Sequence, residues 1–336
     1  IADNQIALNA SWDAALLGLE LADLTEEMRI LTGLAESEIE RLLIGEGKAG
    51  LTDPDDAPEL PADPVTERGD LWQCGRHRLL CGDATAKADV ERLLDGARPH
   101  LMVTDPPYGV SYDPTWRDEA GGQFGDGKTK MRGAVANDQQ ADWSEAWTLF
   151  PGAVAYVWHA SLKTGEVEAG LMANGFVARA QIIWRKSHFT LMRTGYHWHH
   201  EPCWYAVRKG AKAGWHGDRT QSTVWDIQGM NPAGRNRDAG NEKTGHGTQK
   251  PVECMRRPML NSSAPGDPVY DPFVGSGTTL IAAEMVDRVA LTLDLDPAYV
   301  DVAVRRWEAF TGRKATLAGT TSTFDQIARQ RARVAA

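Results

Sequence analysis

No stretch of this chain approaches the roughly 18 consecutive apolar residues of a membrane span, and its first residues lack the basic and apolar runs of a signal peptide. A cytoplasmic protein is therefore expected. Cysteine is scarce: Cys74, Cys81, Cys203 and Cys254 are scattered with no CxxC spacing, which excludes a zinc knuckle or a disulfide framework and reads as reduced thiols. No GK[ST] follows the glycines at 275 and 277, so that loop does not match a Walker phosphate site, and there is no internal repeat. Excess positive charge is also missing, with a formal net charge of -10. The first residue is Ile1, without methionine, which is expected of a fragment or a trimmed product.

The acidity is not spread evenly. Residues 1–70 carry 17 Asp+Glu against 4 Lys+Arg, a net of -13, and the remainder of the chain nets +3. Residues 181–250 hold 11 Lys+Arg, 5 Asp+Glu and six of the nine histidines. A basic working surface joined to an acidic arm is compatible with a nucleic-acid partner, and equally with a solvated surface that has none.

With 336 residues and 42% hydrophobic composition, the chain can build one large α/β domain and an appendage. Residues 1–45 read as a helical arm, with Leu16, Leu17, Leu19, Leu21 and Leu24 before Gly33 and Ile39, Leu42 and Leu43 after it. Residues 46–69, with Pro54, Pro58, Pro61 and Pro64 among many acids, read as a linker that buries little. From Asp70 onward strand and helix patterns alternate, as a wound parallel sheet demands. Helices are expected over 87–94, 162–173 and 278–285, and strands over 100–103, 153–158, 176–184, 202–207, 269–273 and 289–295. The strand at 202–207 follows its predecessor closely enough to pair antiparallel. The main domain is bounded at 70–322, leaving 323–336 as a C-terminal tail.

Asp271-Pro272-Phe273-Val274-Gly275-Ser276-Gly277-Thr278-Thr279 lies where a strand ends and a helix begins, the place where open α/β sheets bind nucleoside cofactors. Gly275 and Gly277 allow a tight turn and close backbone approach. Asp294, nineteen residues after Gly275, ends the next strand, placed to accept hydrogen bonds from ribose hydroxyls, with Asp296-Pro297 beyond it. The third glycine of a dinucleotide fingerprint is absent.

Thr104-Asp105-Pro106-Pro107-Tyr108 closes another strand. The exocyclic amine of adenine or cytosine is a poor nucleophile because its lone pair is delocalised into the ring. A carboxylate and a backbone carbonyl, each accepting one N–H, would pull that nitrogen toward tetrahedral geometry. Asp105 supplies the carboxylate; the prolines fix φ and remove their own N–H groups, so the Pro106 carbonyl can act as the second acceptor. Tyr108 offers a face on which an extruded base can stack. The bland alternative is a proline-rich turn after a buried strand.

Together these motifs resemble the amino-methylating DNA methyltransferases over residues 71–336, in the permuted beta arrangement in which DPPY precedes FxGxG. His246-Gly247-Thr248-Gln249-Lys250-Pro251 resembles that family's HxTQKP motif, Gly82-Asp83 its GD element, and Ile182-Ile183-Trp184-Arg185-Lys186 its late sheet strand. Asp294 departs from the family by standing where glutamate is frequent, and Gly247 by standing where proline is. The N-terminal piece resembles, over a helical pattern and few residues, the tail after a ParB-type domain in some bacterial and phage methylases.

The resemblance implies a Rossmann-like α/β methyltransferase sheet with an antiparallel late strand and S-adenosylmethionine as cofactor, its product being S-adenosylhomocysteine. Asp105, Pro106 and Tyr108 would be catalytic. Cofactor contacts would come from Asp83, Asp105, His246, Thr248, Lys250, Asp271, Phe273, Gly275, Ser276, Gly277, Thr278, Asp294 and Asp296, with Lys250 and its neighbours at the methionine end. No metal is expected, since direct methyl transfer needs none, and His197-Trp198-His199-His200 reads as aromatic packing and DNA contact.

Duplex DNA is the implied partner, a homodimer and a restriction endonuclease being further candidates. Target reading is assigned to residues 209–245, with Arg219, Arg235 and Arg237 as base readers and Lys212, Trp215 and His216 nearby. The glycine-rich stretch 111–142, carrying Lys128 and Lys130, is expected as a lid over cofactor and DNA. Asp at position 105 favours adenine N6 as target in that family, where cytosine-N4 enzymes more often have Ser. Cytosine-N4 transfer and a non-catalytic DNA-binding scaffold remain the alternatives.

Overall fold

The computed structural model describes residues 28, 31–34, 48–109, 140–190, 195–217, 221–227 and 249–335. The helices expected over 1–45 therefore lie outside the described residues except for a few positions. The strands are β1 (Leu71–Cys74), β2 (His77–Cys81), β3 (Leu101–Thr104), β4 (Val154–Trp158), β5 (Phe176–Thr190), β6 (Trp198–Arg208), β7 (Val224–Asp226), β8 (Pro268–Asp271), β9 (Val289–Asp294) and β10 (Thr316–Leu317). The helices are α1 (Lys87–Leu94), α2 (Ser144–Leu149), α3 (Thr164–Ala173), α4 (Val252–Ser262), α5 (Thr278–Met285), α6 (Pro297–Thr311) and α7 (Phe324–Ala335).

The ten strands form a single mixed sheet in the order β10-β1-β2-β9-β8-β3-β4-β6-β5-β7. Its centre, β2-β9-β8-β3-β4, is parallel, and β6 runs antiparallel to both β4 and β5. The pairing expected between the two late strands is present, with Ile182 opposite Cys203. Central strands such as Leu-Met-Val-Thr in β3 and Val-Ala-Tyr-Val-Trp in β4 are buried along their whole length, as strands covered on both faces must be. Neighbouring residues point to opposite faces. Leu79, Leu101 and Val154 accordingly join the core under α4, α5 and α6, while Leu80, Met102 and Ala155 join the core under α1, α2 and α3.

The chain leaves β3 toward β4 on one side and β8 toward β9 on the other, so the topological switch point lies between β3 and β8. Crevices of this kind, at the carboxyl ends of the strands, are where open α/β sheets bind ligands. Both motif-bearing loops leave the sheet there.

Residues 48–69 differ from the expected linker. Ala57 and Thr66 are buried; Trp72 donates its indole N–H to the Thr66 hydroxyl (2.9 Å), and Asp301 of α6 accepts from the backbone N–H groups of Val65 (2.6 Å) and Thr66 (3.0 Å). The acids and prolines in this stretch serve specific partners on the domain, which composition alone could not reveal. The tail expected at 323–336 is likewise largely helix α7, anchored by buried Phe324 and Ile327 and by an Arg331–Asp70 ion pair. A hairpin one strand in from the sheet edge, β1–β2, turns at Gly75, where φ is 62°.

Candidate active site

Asp105 to Tyr108 follow directly from β3. The turn out of this loop is made by Gly109 at φ 66°, where a Cβ would stand 2.7 Å from the backbone of Ala141. Only glycine fits there without displacing backbone. The Pro107 carbonyl accepts the Trp143 indole N–H at 3.0 Å, and Pro106 itself is buried. Thr104, at the end of β3, donates its hydroxyl to Asp271 Oδ1 at 2.6 Å, tying the Asp105–Tyr108 loop to the end of β8.

The structure brings Asp105, Tyr108 and Lys250 into one polar cluster. The Lys250 ammonium, 4% exposed, lies 2.9 Å from each carboxylate oxygen of Asp105 and donates to the Tyr108 hydroxyl at 2.6 Å. A residue that the sequence reading did not single out completes the cluster. Glu201 of β6 lies 2.8 Å from Lys250 Nζ, accepts from the Tyr108 hydroxyl at 3.1 Å and pairs with Lys186 of β5. An acid immediately before the strand-like run Pro202–Val207 was the available signal, since unpaired carboxylates are rarely placed in a sheet.

Two carboxylates share these lysines unequally. Burial would raise Glu201, but Lys250 and Lys186 hold it down to about 2. Asp105 has Lys250 as its cationic partner, and burial, with Glu201 nearby, leaves its carboxyl above the ordinary aspartate value. Burial alone would depress Lys250; Asp105 and Glu201 together push it above the ordinary lysine value, so it stays charged.

The glycine loop occupies the adjoining edge. Gly275 and Gly277 take φ of 52° and 90°, and a Cβ on Gly277 would stand 2.9 Å from Ala303 Cβ of α6. Asp294 accepts from the backbone N–H groups of Gly275 and Asp296, each at 2.9 Å, and burial pushes its carboxyl up to about 6. Asp296 caps α6 by accepting from Ala298 N–H at 2.9 Å. Burial raises Asp271 to about 7 although Thr104 and the Phe273 N–H donate to it. Phe273 packs its ring 4.6 Å from that of Trp143. Asp83 accepts from the N–H and hydroxyl of Thr85 (2.8 and 2.7 Å), and its neighbour Gly82 donates to the Asp294 carbonyl at 2.9 Å, so the GD element sits on the same edge.

Ser276 and Thr278 are held from behind by Arg306 of α6, 1% exposed. Its guanidinium reaches the Ser276 carbonyl (3.1 Å), the Ser276 and Thr278 hydroxyls (3.2 Å each) and the Pro54 carbonyl (2.7 Å). Asp55, next to Pro54, accepts the Val252 N–H at the start of α4 (2.7 Å), and Gln249 donates to the Asp55 carbonyl (2.8 Å). The segment before the sheet thus braces both the glycine loop and the Lys250 turn.

His246, Thr248, Arg219, Arg235, Arg237, Lys128 and Lys130 lie outside the described residues, as does nearly all of the stretch expected as a lid. Of the assigned target-reading stretch 209–245, residues 224–226 form β7, which pairs parallel with β5 and buries Trp225. His197 stacks on Phe189 with ring centroids 5.0 Å apart. Among the described residues no group of His, Cys, Asp and Glu is arranged to hold a metal, and no helix is long and apolar enough to cross a membrane.

Comparison with known proteins agrees in kind. The family model for N6/N4 DNA methylases matches residues 100–305. The type II methyltransferase M.Cfr9I of Citrobacter freundii is 32% identical over 153 residues, which cover 40% of this chain and 46% of that protein. M.HinfI of Haemophilus influenzae is 34% identical over 89 residues, covering 26% of this chain and 24% of that protein. The chain thus spans less than half the length of these curated relatives. Among solved structures, the M1.HpyAVI–SAM complex superposes with a TM-score of 0.48 at 20% identity, covering 68% of this chain and 98% of that one. The cytosine-N4-specific PvuII DNA methyltransferase gives 0.48 at 13% identity, covering 83% and 96%.

Proposed function

This chain belongs to the N6/N4 family of DNA methylases, and on that premise we propose that it transfers a methyl group from S-adenosylmethionine to adenine N6 in duplex DNA, with the base extruded from the helix. The observation that carries the reading is the placement of Asp105, Pro106 and Tyr108 at the switch point, one strand away from the glycine loop.

The residues at the β8–β9 edge fit the proposed cofactor. Gly275 and Gly277 present backbone with no Cβ, and the half-buried Asp294 carboxyl, raised to about 6, accepts backbone N–H groups on both oxygens and keeps acceptor capacity for ribose hydroxyls. The bound cofactor supplies an electrophilic methyl on a sulfonium. Asp105 accepts one N–H of the target amine and the Pro106 carbonyl accepts the other, which localises the nitrogen lone pair and aims it away from both acceptors. Tyr108 stacks the extruded base. The surplus amine proton leaves by way of the Asp105 carboxylate, whose affinity for a proton is raised by burial.

Asp at position 105 supports adenine over cytosine by family resemblance. Sequence choice is assigned to residues 209–245, with Arg219, Arg235 and Arg237 reading bases and Lys128 and Lys130 on phosphates. Asp105→Ala tests the reading: single-turnover transfer to duplex DNA should fall by a factor of about 100 or more while calorimetric affinity for S-adenosylmethionine changes little. Near-normal turnover in that variant would overturn the assigned role. Because Asp105 must be ionised to accept the N–H, and its pKa is raised, the acid limb of the rate should lie above the ordinary aspartate value of about 4.

A further inference from the structure

Lys250 donates to both oxygens of Asp105, one of which must accept an N–H of the target amine. An ammonium that is 4% exposed cannot give up its counter-ion without a replacement. If Asp105 were its sole anionic partner, the incoming amine would have to compete with a buried ion pair. Glu201 removes that conflict. It stands opposite Trp184 in the β5–β6 pairing, 2.8 Å from Lys250 and within hydrogen-bond reach of the Tyr108 hydroxyl, with its other oxygen on Lys186.

We propose that Glu201 is a positioning residue for methyl transfer: it holds Lys250 and Tyr108 in place when the amine takes over Asp105, so that Asp105 is free to orient the lone pair. This rests on the reading in the preceding subsection. The charged and titratable groups around the cluster are Lys186 from β5, Cys203 from β6, Cys254 from α4 and His159 beyond β4. The two lysines balance the two carboxylates. Removing the Glu201 charge leaves Lys250 with Asp105 as its remaining anion, which tightens that pair and lowers the pH at which Asp105 takes a proton.

The test uses the full chain and the variants Glu201→Gln and Glu201→Asp. In Glu201→Gln, kcat on duplex DNA should fall about tenfold or more while KM for DNA and affinity for S-adenosylmethionine stay within about twofold. Its acid limb should move down by about one pH unit. Glu201→Asp, which keeps the charge, should recover part of kcat. In protein without cofactor or DNA, the 13C signal of the Asp105 carboxyl, assigned with Asp105→Asn, should titrate lower in Glu201→Gln than in the unaltered chain. An unmoved Asp105 titration overturns the coupling whatever happens to activity. A rate loss that Glu201→Asp does not relieve, accompanied by a lower melting temperature, reduces Glu201 to structural support and also overturns it. If the unaltered chain methylates no DNA, the functional reading fails separately, because the carboxyl titration does not depend on turnover.

Discussion

Replacing Arg306 with methionine should cost stability and cofactor affinity together. The guanidinium makes four hydrogen bonds, to the Ser276 carbonyl and hydroxyl, the Thr278 hydroxyl and the Pro54 carbonyl. Nη1 shares its two hydrogens among three of these acceptors, so the contacts amount to about three full bonds; at about 1.5 kcal/mol for each bond to a charged donor, their loss is worth about 4.5 kcal/mol. Part of that is returned, because burial depresses Arg306 from 12.5 to about 10 even with Asp55, Asp56 and Asp53 nearby, a penalty of about 3 kcal/mol that methionine does not incur. The expected net loss is therefore about 1.5 kcal/mol. Equilibrium urea unfolding should show it as a lower midpoint with an unchanged slope. S-adenosylmethionine should bind more weakly to the folded variant, because the Ser276 and Thr278 hydroxyls lose the brace behind them, and Arg306→Lys should recover only part of either loss. No measurable stability change together with unchanged cofactor affinity would refute the assignment of Arg306 as the link between the strap formed by residues 48–69 and the glycine loop.

Tyr108→Phe, a substitution that stacking alone would tolerate, should slow single-turnover transfer because the hydroxyl accepts from Lys250 and donates to Glu201; a wild-type rate would confine Tyr108 to stacking. Tyr108→Ala should lose a further stacking contribution of about 1–3 kcal/mol. Asp271→Asn should reveal a pH-dependent stability difference: burial raises Asp271 from 3.8 to about 7, so its advantage is fully present below the lower value and is lost as pH rises through the upper one. Denaturation of the two proteins at pH 4 and pH 8 should differ in relative stability by on the order of 4 kcal/mol, and a pH-independent difference would contradict the assigned burial. Deleting residues 1–68 should abolish a single cooperative transition, since Thr66, Ala57, Asp55 and Pro54 all have partners in the domain; a sharp, near-normal melt of the truncated chain would show that the strap is dispensable.

Much of the sheet was legible because its strands are short apolar runs punctuated by turn residues. Helix α5 runs over 278–285 as its pattern implies, and the ends of β3, β8 and β9 fall where Asp105, Asp271 and Asp294 punctuate them. The glycine loop was legible because tight turns with close packing require glycine locally, and φ of 52° and 90° occur at the two positions that needed it. What stayed hidden depends on contacts distant in sequence. Asp55 and Arg306 are separated by most of the chain, and each alone reads as a surface charge; only the fold puts them at one loop. The role of Glu201 is hidden for the same reason, its partners lying on β5, after β3 and before α4. Helix α6 carries a local signal at both ends: Pro297 at its first turn behind the Asp296 cap, and Gly312 at φ 70° after its end.

The central claim is the identity of the methylated atom. The unaltered chain, isotopically labelled S-adenosylmethionine and duplex DNA of mixed sequence should be incubated together, and the DNA then digested to nucleosides and separated by mass spectrometry. The proposed chemistry predicts label in N6-methyladenine, absent with Asp105→Ala. Label in N4-methylcytosine would contradict the choice of adenine, and DNA left unlabelled by a folded protein that binds the cofactor would contradict the assignment of methyl transfer itself.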